Sequence, residues 1–208
     1  MKKNGLSTGW KLFILGFLLV LIDQIIKILV KTNMTLGESF CVLGDWFRIL
    51  FIENEGMAFG MKFGGKIGKL LLTVFRLGLF SALCWWIHKL VKTGNVPCGV
   101  LVGLTLITAG AMGNIVDCVL YGQIFSESVY GGSVAALGGE PYAPIFFGKV
   151  VDMFYFPLID TVWPEWVPFV GGSPFRFFEP VFNFADSCVT VGAFYLILFH
   201  YKFFATEK

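Results

Sequence analysis

The sequence predicts an all-α membrane protein, built as a four-transmembrane-helix bundle. Hydrophobic residues make up 56% of its 208 positions and charged residues only 14%, whereas a soluble domain is about one quarter charged. The mean hydropathy is +0.76. The apolar residues gather into four runs, each long enough to cross a hydrocarbon core of roughly 30 Å at about 1.5 Å per residue. We therefore expect a single membrane domain over residues 1–208.

The four predicted helices cover residues 10–30, 67–91, 96–121 and 184–204. The first follows several lysines, as the apolar region of a signal peptide does. No small-residue cleavage site follows it, because the run ends in Val30-Lys31-Thr32-Asn33, so we expect a retained helix. Two long loops, residues 31–66 and 122–182, then lie on one side of the membrane.

Basic residues in the short connections predict the orientation, because Lys and Arg are enriched in cytoplasmic loops. Those before helix one, between helices two and three, and after helix four share one side. They are Lys2, Lys3, Lys11, His88, Lys89, Lys92, Lys202 and Lys208. Lys62, Lys66 and Lys69 oppose this assignment but are fewer. We expect both termini in the cytoplasm and both long loops in the periplasm of a bacterial cell.

The long loops have recognisable composition. Residues 47–52 are rich in β-forming types and predict a strand. Residues 122–149 carry many glycines and two prolines, which predicts an irregular segment. Residues 154–178 are dense in Phe, Tyr and Trp, which is typical of an aromatic belt at a membrane interface.

Charge and cysteine usage exclude several classes of partner. The net charge of +2 is too small to favour nucleic acid. The five cysteines are scattered without a Cys-x-x-Cys pair, and neither histidine lies near a cysteine pair, so we expect no metal site and no disulfide framework.

Two isolated carboxylates have apolar neighbours. Asp152 lies within Val150-Val151-Asp152-Met153-Phe154, and Asp186 opens the last apolar run. A functional interpretation is a dyad that shares one proton, in which one carboxyl acts as the acid and the other as the base that activates water. The alternative is that Asp186 caps a helix and Asp152 is an ordinary loop acid. Their spacing alone favours the alternative.

Asp23 and Lys27 lie four residues apart on helix one and hence on one face. Asp23 is about 10 Å from the outer end of that helix. A charged residue inside a membrane usually indicates a functional site, but Asp23 and Lys27 can also neutralise each other. A structural ion pair and a contact to a polar part of a substrate are equally favoured.

Three further polar residues are candidates, two in helix three and one in the first long loop. Asn114 and Asp117 share a face of helix three, close to Gly110 and Gly113, and this pattern favours hydrogen bonding between closely packed helices. Asn54, with Gly56 two residues later, is suited to stabilising a turn or to hydrogen-bonding the backbone of a bound peptide. By itself that short motif carries little information.

Taken together these motifs resemble the lipoprotein signal peptidases, prokaryotic signal peptidase II. The matching segments are Asp23-x-x-x-Lys27, Asn54-x-Gly56-x-Ala58-Phe59, Gly110-x-x-Gly113-Asn114-x-x-Asp117, Val150-Val151-Asp152 and Phe182-Asn183-x-Ala185-Asp186-Ser187. The resemblance implies an aspartyl endopeptidase of the bacterial inner membrane. Such an enzyme removes the signal peptide of a prolipoprotein on the N-terminal side of a diacylglyceryl-modified cysteine. It needs no cofactor, contacts its substrate and membrane lipid, and is expected to be a monomer.

The resemblance also implies roles for individual residues. Asp152 and Asp186 match the catalytic pair of the family. The supporting positions are Asp23, Lys27, Asn54, Gly56, Asn114, Asp117 and Asn183. The family has a small periplasmic β-cradle with a short helix, which would fit residues 35–65.

Two features depart from the family. Cys118 follows the helix-three aspartate, where the family usually has arginine, so Asp117 must be held in another way. In addition, 33 residues, 119–151, separate Asp117–Cys118 from Asp152, where the family has only a few. A further insertion around Trp163-Pro164-Glu165-Trp166 precedes Asn183. We therefore expect enlarged periplasmic loops.

Two interpretations of other classes compete with a protease. A proton-coupled carrier would use the intramembrane acids, but carriers usually place such groups at the midplane and contain inverted repeats. Here the acids lie toward one face and the sequence contains no visible repeat. A membrane scaffold that binds a partner through its outer loops is the third interpretation.

Overall fold

The computed structural model describes residues 6–55, 65–177 and 179–205. Within these ranges it contains four helices long and apolar enough to cross a membrane, which confirms the predicted helix bundle. They are α1 (Thr8–Asn33), α2 (Gly65–Thr93), α3 (Cys98–Val116) and α5 (Phe184–Ala205). A π-helical turn (Asp117–Tyr121) and the short α4 (Gly122–Ile124) extend α3.

The small β-sheet expected beside the helix bundle is present, and the described residues contain six strands. The strands are β1 (Ser39–Leu43), β2 (Phe47–Asn54), β3 (Val150–Tyr155), β4 (Ile159–Val162), β5 (Pro174–Phe177) and β6 (Val181–Phe182). The first three and β6 form an antiparallel sheet in the order β1-β2-β3-β6, while β4 and β5 form a separate hairpin. The predicted strand at 47–52 is confirmed within β2.

The placement of the β-cradle within residues 35–65 was therefore too narrow. Half of the main sheet comes from the second long loop, because β2 pairs with β3 and β3 pairs with β6. Strand pairing between segments about a hundred residues apart leaves no local signal in a sequence. Residues 35–55 contain no helix, and residues 56–64 lie outside the described ranges.

The sheet buries one face against the end of the helix bundle. Val151 and Met153 on β3 pack with Phe51 of β2 and with residues at the end of α1 and beyond α3. Because successive side chains of a strand point to opposite faces, this packing turns Asp152 to the other face. The core thus determines where this carboxylate points.

Helix α3 lies at the centre of the bundle and packs most closely against α5. Gly110 makes this approach possible, because a Cβ there would overlap the carbonyl oxygen of Ala185 and lie 2.7 Å from Cγ2 of Val189. Small residues at helix contacts are the usual packing device in membranes. The close contact brings the end of α3 beside the first turn of α5.

Residues 122–149 form an irregular segment, as predicted, but one that is attached to the rest of the protein. Phe125 forms an isolated β-bridge with Leu137 within the segment, and Tyr130 forms one with Leu36, which lies outside it. Ser128 is buried. The segment then returns the chain to β3.

Candidate active site

Asp152 and Asp186 are brought together by the short pairing between β3 and β6. Phe182 pairs with Phe154 and Val181 with Tyr155, and α5 begins two residues after this strand pair. Asp186 therefore lies in the first turn of α5, beside the strand that carries Asp152. These two residues are called the candidate dyad below.

Asn183 connects the two carboxylates. Its side-chain Nδ2 donates to Oδ1 of Asp152 over 2.7 Å, and its backbone N–H donates to Oδ2 of Asp186 over 3.4 Å. The backbone N–H of Asp186 donates in return to Oδ1 of Asn183 over 2.9 Å. This reciprocal pattern is that of a capping box, so the cap of α5 is Asn183, not Asp186.

Two more asparagines donate to the candidate dyad. Nδ2 of Asn54, at the end of β2, lies 3.2 Å from Oδ2 of Asp152, and Nδ2 of Asn114, on α3, lies 2.8 Å from Oδ1 of Asp186. Asn114 thus hydrogen-bonds between helices as predicted, and its partner is a member of the candidate dyad. Gly56, Ala58 and Phe59, the rest of the Asn54 motif, lie outside the described residues.

The environments of the two carboxyl groups differ. Asp152 is 4% exposed, and Asp186 is only half-buried. Burial, and after it the nearby charge of Asp186, raise the pKa of Asp152 to about 7 against the opposing effect of the hydrogen bonds from Asn54 and Asn183. Two adjacent carboxyl groups with such an arrangement are suited to holding one proton between them near neutral pH.

A buried ion cluster lies directly behind the candidate dyad. Nζ of Lys27 is 3.0 Å from Oδ2 of Asp23 and 2.7 Å from Oδ2 of Asp117, and it donates to Oδ1 of Asn114 over 2.9 Å. The ion pair inferred from the Asp23–Lys27 spacing is present, with Asp117 as a third member. Asp23 also accepts a hydrogen bond of 2.9 Å from the backbone N–H of Ala185, so the cluster holds the start of α5.

Gln24 belongs to this cluster and was missed in the sequence. Its Nε2 lies 3.1 Å from Oδ2 of Asp23 and 3.0 Å from Oδ1 of Asp117, and its Oε1 accepts from the hydroxyl of Tyr121 over 3.0 Å. A polar residue next to Asp23 in an apolar run was the available signal. Any charged or amide side chain in a membrane helix needs a polar partner.

Asp117 is held without the arginine that the family usually places after it. Lys27 and Gln24 bind it, and its Oδ2 accepts from the backbone N–H of Val151 over 3.2 Å. Asp117 therefore ties the end of α3 to β3 one residue before Asp152. Cys118 is buried with its Sγ 3.5 Å from Nη1 of Arg76 on α2.

A second charge cluster, formed by Lys31, Glu53, Ser128 and Lys149, joins the segment 122–149 to the sheet. Lys31 and Glu53 form a buried ion pair. Oγ of Ser128 lies 2.8 Å from both Nζ of Lys31 and Oε1 of Glu53, and Nζ of Lys149 lies 3.3 Å from Oε2 of Glu53. Because Glu53 precedes Asn54 on β2, the segment 122–149 supports the strand that contacts Asp152.

A metal centre would need a group of ligating side chains. Among the described residues, no three His, Cys, Asp or Glu side chains are grouped closely enough to hold an ion. The candidate dyad itself consists of two carboxyl groups that accept hydrogen bonds from three asparagines.

Comparisons with known proteins identify the family of this chain. A model of the family described as signal peptidase (SPase) II matches residues 15–202. The chain belongs to the signal peptidase II family. The expectation of an aspartic endopeptidase that acts on the signal peptides of prolipoproteins is confirmed.

Curated members of the family are similar over most of the chain. The lipoprotein signal peptidase of Porphyromonas gingivalis is 49% identical over 183 residues, covering 87% of this chain and 78% of that protein. The enzyme of Amoebophilus asiaticus is 36% identical over 191 residues, covering 91% and 77%. That of Chlorobaculum tepidum is 29% identical, covering 94% and 96%.

Two solved structures share the fold. A bacterial membrane enzyme determined by the in meso method at 2.3 Å resolution superposes with a TM-score of 0.60 at 24% identity, covering 95% of this chain and 92% of the other. A second, at 1.9 Å resolution, gives 0.58 at 22% identity, covering 95% and 94%. The signal peptidase II family thus provides the enzyme class, and these structures support the architecture.

Proposed function

We propose that Asp152 and Asp186 are the catalytic pair of this signal peptidase. The observation that carries the proposal is the double contact of Asn183, which donates to both carboxylates. Residues from β2, β3, α3 and α5 all converge on these two groups. No other pair of acids within the described ranges combines this convergence with the intact family motifs.

Asp152 holds the proton of the pair at rest, and Asp186 is the ionised partner. Burial supports this assignment for Asp152, whose pKa is raised to about 7. Asp186 lies in the first turn of α5, where the helix dipole favours a negative charge, and its carboxylate accepts from the backbone N–H of Asn183. The more accessible carboxylate is then the one that meets the attacking water.

Hydrolysis proceeds by proton transfer within this pair. Asp186 takes a proton from water while the water oxygen attacks the peptide carbonyl carbon, and Asp152 gives its proton to the carbonyl oxygen. The resulting diol collapses when Asp152 takes this proton back and Asp186 passes its own to the leaving nitrogen. The peptide C–N bond breaks, and both carboxyl groups return to their starting states.

The substrate is a prolipoprotein, cut on the N-terminal side of a cysteine that carries diacylglycerol. The candidate dyad lies where α5 begins, at one end of the bundle, so that a membrane-inserted signal peptide presents its outer end there. We place this end at the periplasmic face of the bacterial inner membrane, with both termini in the cytoplasm. Lys69, which opposed this orientation, is buried and pairs with Glu55 over 2.9 Å.

The remaining residues support the pair. Asn54, Asn114 and Asn183 orient the carboxyl groups through their amides, while Asp23, Lys27 and Asp117 hold the segments that carry them. Gly56 belongs to this set through the motif alone. The ion cluster serves alignment and stability, and bond breaking belongs to the candidate dyad.

Cleavage of a diacylglyceryl-modified prolipoprotein by the purified protein tests the proposal. Asp152→Asn and Asp186→Asn should each abolish turnover while the protein still folds. Asp45→Asn, at an exposed acid in the β1–β2 turn, is the matched control and should cleave like the wild type. Substantial turnover by either dyad variant would rule out the catalytic pair.

A further inference from the structure

An apolar groove lies between α1 and α2. Both helices pack against α3 but leave a space of about 640 Å³ between them. Residues 9–20 of α1, 80–91 of α2 and 105–112 of α3 contribute its lining and define what we call the inner groove. Its walls are almost entirely hydrocarbon, and it opens to the membrane.

The hydroxyl groups on the floor of the groove are already satisfied. Thr105 and Thr108 each donate to the backbone carbonyl four residues earlier on α3, over 2.7 Å in both cases. Gly16 on the α1 wall leaves room, since a Cβ there would stand 3.5 Å from Cγ2 of Thr105. The inner groove is therefore suited to a hydrocarbon chain and offers little to a polar ligand.

The length of the groove matches a single leaflet. It spans eleven residue steps on α1 and eleven on α2, which is about 16 Å at the helical rise. Half of the hydrocarbon core is about 15 Å. A chain that enters from the membrane surface near Gly9 and Val91 would thus end near the midplane, beside Val20 and Phe80.

Basic residues stand at the surface end of the groove. His88 lines it, and Lys92, four residues further along α2, lies on the same face. Both are exposed, and the lining includes no acidic residue. This charge complements a phosphate headgroup and repels the positively charged region that precedes the apolar part of a signal peptide.

The groove also lies on the wrong side of α3 to hold the substrate of the candidate dyad. Met112 lines the groove, whereas Asn114, which contacts Asp186, follows two residues later, about 200° further around the helix. Helix α5 packs on that opposite face through Gly110. A signal peptide in the inner groove would have α3 between it and Asp186.

We propose that the inner groove binds one acyl chain of an anionic phospholipid from the leaflet opposite the candidate dyad. Its phosphate lies at His88 and Lys92. The lipid fills the space between α1 and α2 and does not take part in the reaction. Neither the motifs nor the family assignment points to this site.

Phosphatidylglycerol retention by the purified full-length protein, measured by native mass spectrometry, tests the proposal. The wild type should retain one lipid per chain. Gly16→Phe fills the groove and should lose it, while Gly78→Phe should keep it, because a Cβ at Gly78 on α2 meets nothing within 4 Å. Equal retention by Gly16→Phe and Gly78→Phe would overturn the proposal.

Charge reversal at the surface end provides a second test that does not alter the bundle. Lys92→Glu should weaken phosphatidylglycerol retention by roughly fivefold or more, given the usual attraction of one lysine to an anionic surface. Lys89→Glu, on the side of α2 turned away from the groove, should not. Equal losses in the two variants, or equal retention, would remove the headgroup site.

Turnover distinguishes a resident lipid from the substrate. Gly16→Phe should cleave diacylglyceryl-modified prolipoprotein with an unchanged KM. A raised KM in Gly16→Phe, with phosphatidylglycerol still retained, would assign the groove to the signal peptide and end the lipid proposal. Because the candidate dyad is intact in every variant here, these results are independent of the Asp152 and Asp186 substitutions.

Discussion

The side-chain amide of Asn183 donates a hydrogen bond of 2.7 Å to Oδ1 of Asp152. The same residue caps α5 and contacts Asp186 through its backbone. A single buried asparagine thus sets the position of both carboxyl groups relative to one helix terminus. The distribution of charge within this arrangement can be tested directly.

The first prediction concerns the location of the shared proton. Carbonyl infrared spectra of the ligand-free enzyme below about pH 7 should contain a protonated-carboxyl band from Asp152, because burial is the main cause of its raised pKa. The band should disappear in Asp152→Asn and persist in Asp186→Asn. The opposite pattern would reverse the assignment. A pH–rate profile alone cannot decide, because its apparent pKa values belong to the pair.

The second prediction follows from linkage between protonation and folding. The pKa of Asp152 is about 7 in the folded chain and about 3.9 in an unfolded one. Between these values the folded state binds more protons, so stability should fall as pH rises from about 4 to about 7, by a few kcal/mol. Thermal unfolding of Asp152→Asn should lack this slope, and Asp45→Asn should keep it. An identical slope in Asp152→Asn would contradict the assignment.

The third prediction concerns the charge balance around Lys27. Lys27→Met leaves two buried carboxylates without their cation and should cost about 3–5 kcal/mol of unfolding free energy. Asp23→Asn should cost less, because Lys27 keeps Asp117 at 2.7 Å. Neutralising Asp23 and Lys27 together still strands Asp117, so only the triple change with Asp117→Asn should recover stability. Equal losses in Lys27→Met and Asp23→Asn would show that the cluster is not coupled in this way.

The fourth prediction tests how the segment 122–149 is attached to β2. Ser128→Ala removes both a partner of Lys31 and a donor to Glu53, and should destabilise the protein by about 1–3 kcal/mol. Ser133→Ala, at an exposed serine of the same segment, should have no measurable effect. Hydrogen exchange of β2 should increase in Ser128→Ala only. Unchanged hydrogen exchange in β2 of Ser128→Ala would mean that the segment 122–149 does not support this strand.

The fifth prediction addresses the contact between α3 and α5. Gly110→Ala places a Cβ against the backbone of Ala185 and should push α5 outward, at a cost of about 1–3 kcal/mol. Turnover should fall too, because Asp186 would move away from Asn114. Gly78→Ala meets open space and should be neutral or slightly stabilising, by up to about 1 kcal/mol. Similar behaviour of the two variants would argue against a close α3–α5 contact.

The membrane bundle and the family could be predicted from the sequence because their signals are local. Long apolar runs must be helical in a membrane, since every backbone group there needs an internal partner. The motifs around Asp152 and Asp186 are short and intact, so the length of chain between them does not obscure the match. The same locality explains the Asp23–Lys27 pair, whose spacing of one helical turn is visible in the chain.

Residues whose roles depend on distant partners were harder to infer. The role of Gln24 depends on Asp117 in the π-helical turn after α3, and that of Glu53 depends on Ser128 in the segment 122–149. Spacing alone favoured a cap and a loop acid over a dyad, and the cap of α5 is in fact Asn183. Pairings across 75 or 93 residues leave no periodic trace in the sequence.

The sequence by itself determined the four apolar helices, the strand at 47–52 and the identity of the polar residues available for chemistry. Only the tertiary structure decided that Asp152 stands on a strand with its face set by the burial of Val151 and Met153. Two residue pairs between β3 and β6 and a glycine contact between α3 and α5 then bring Asp186 beside it. The physical reason is that hydrophobicity specifies which segments are buried, whereas side-chain packing and strand pairing specify which buried groups meet.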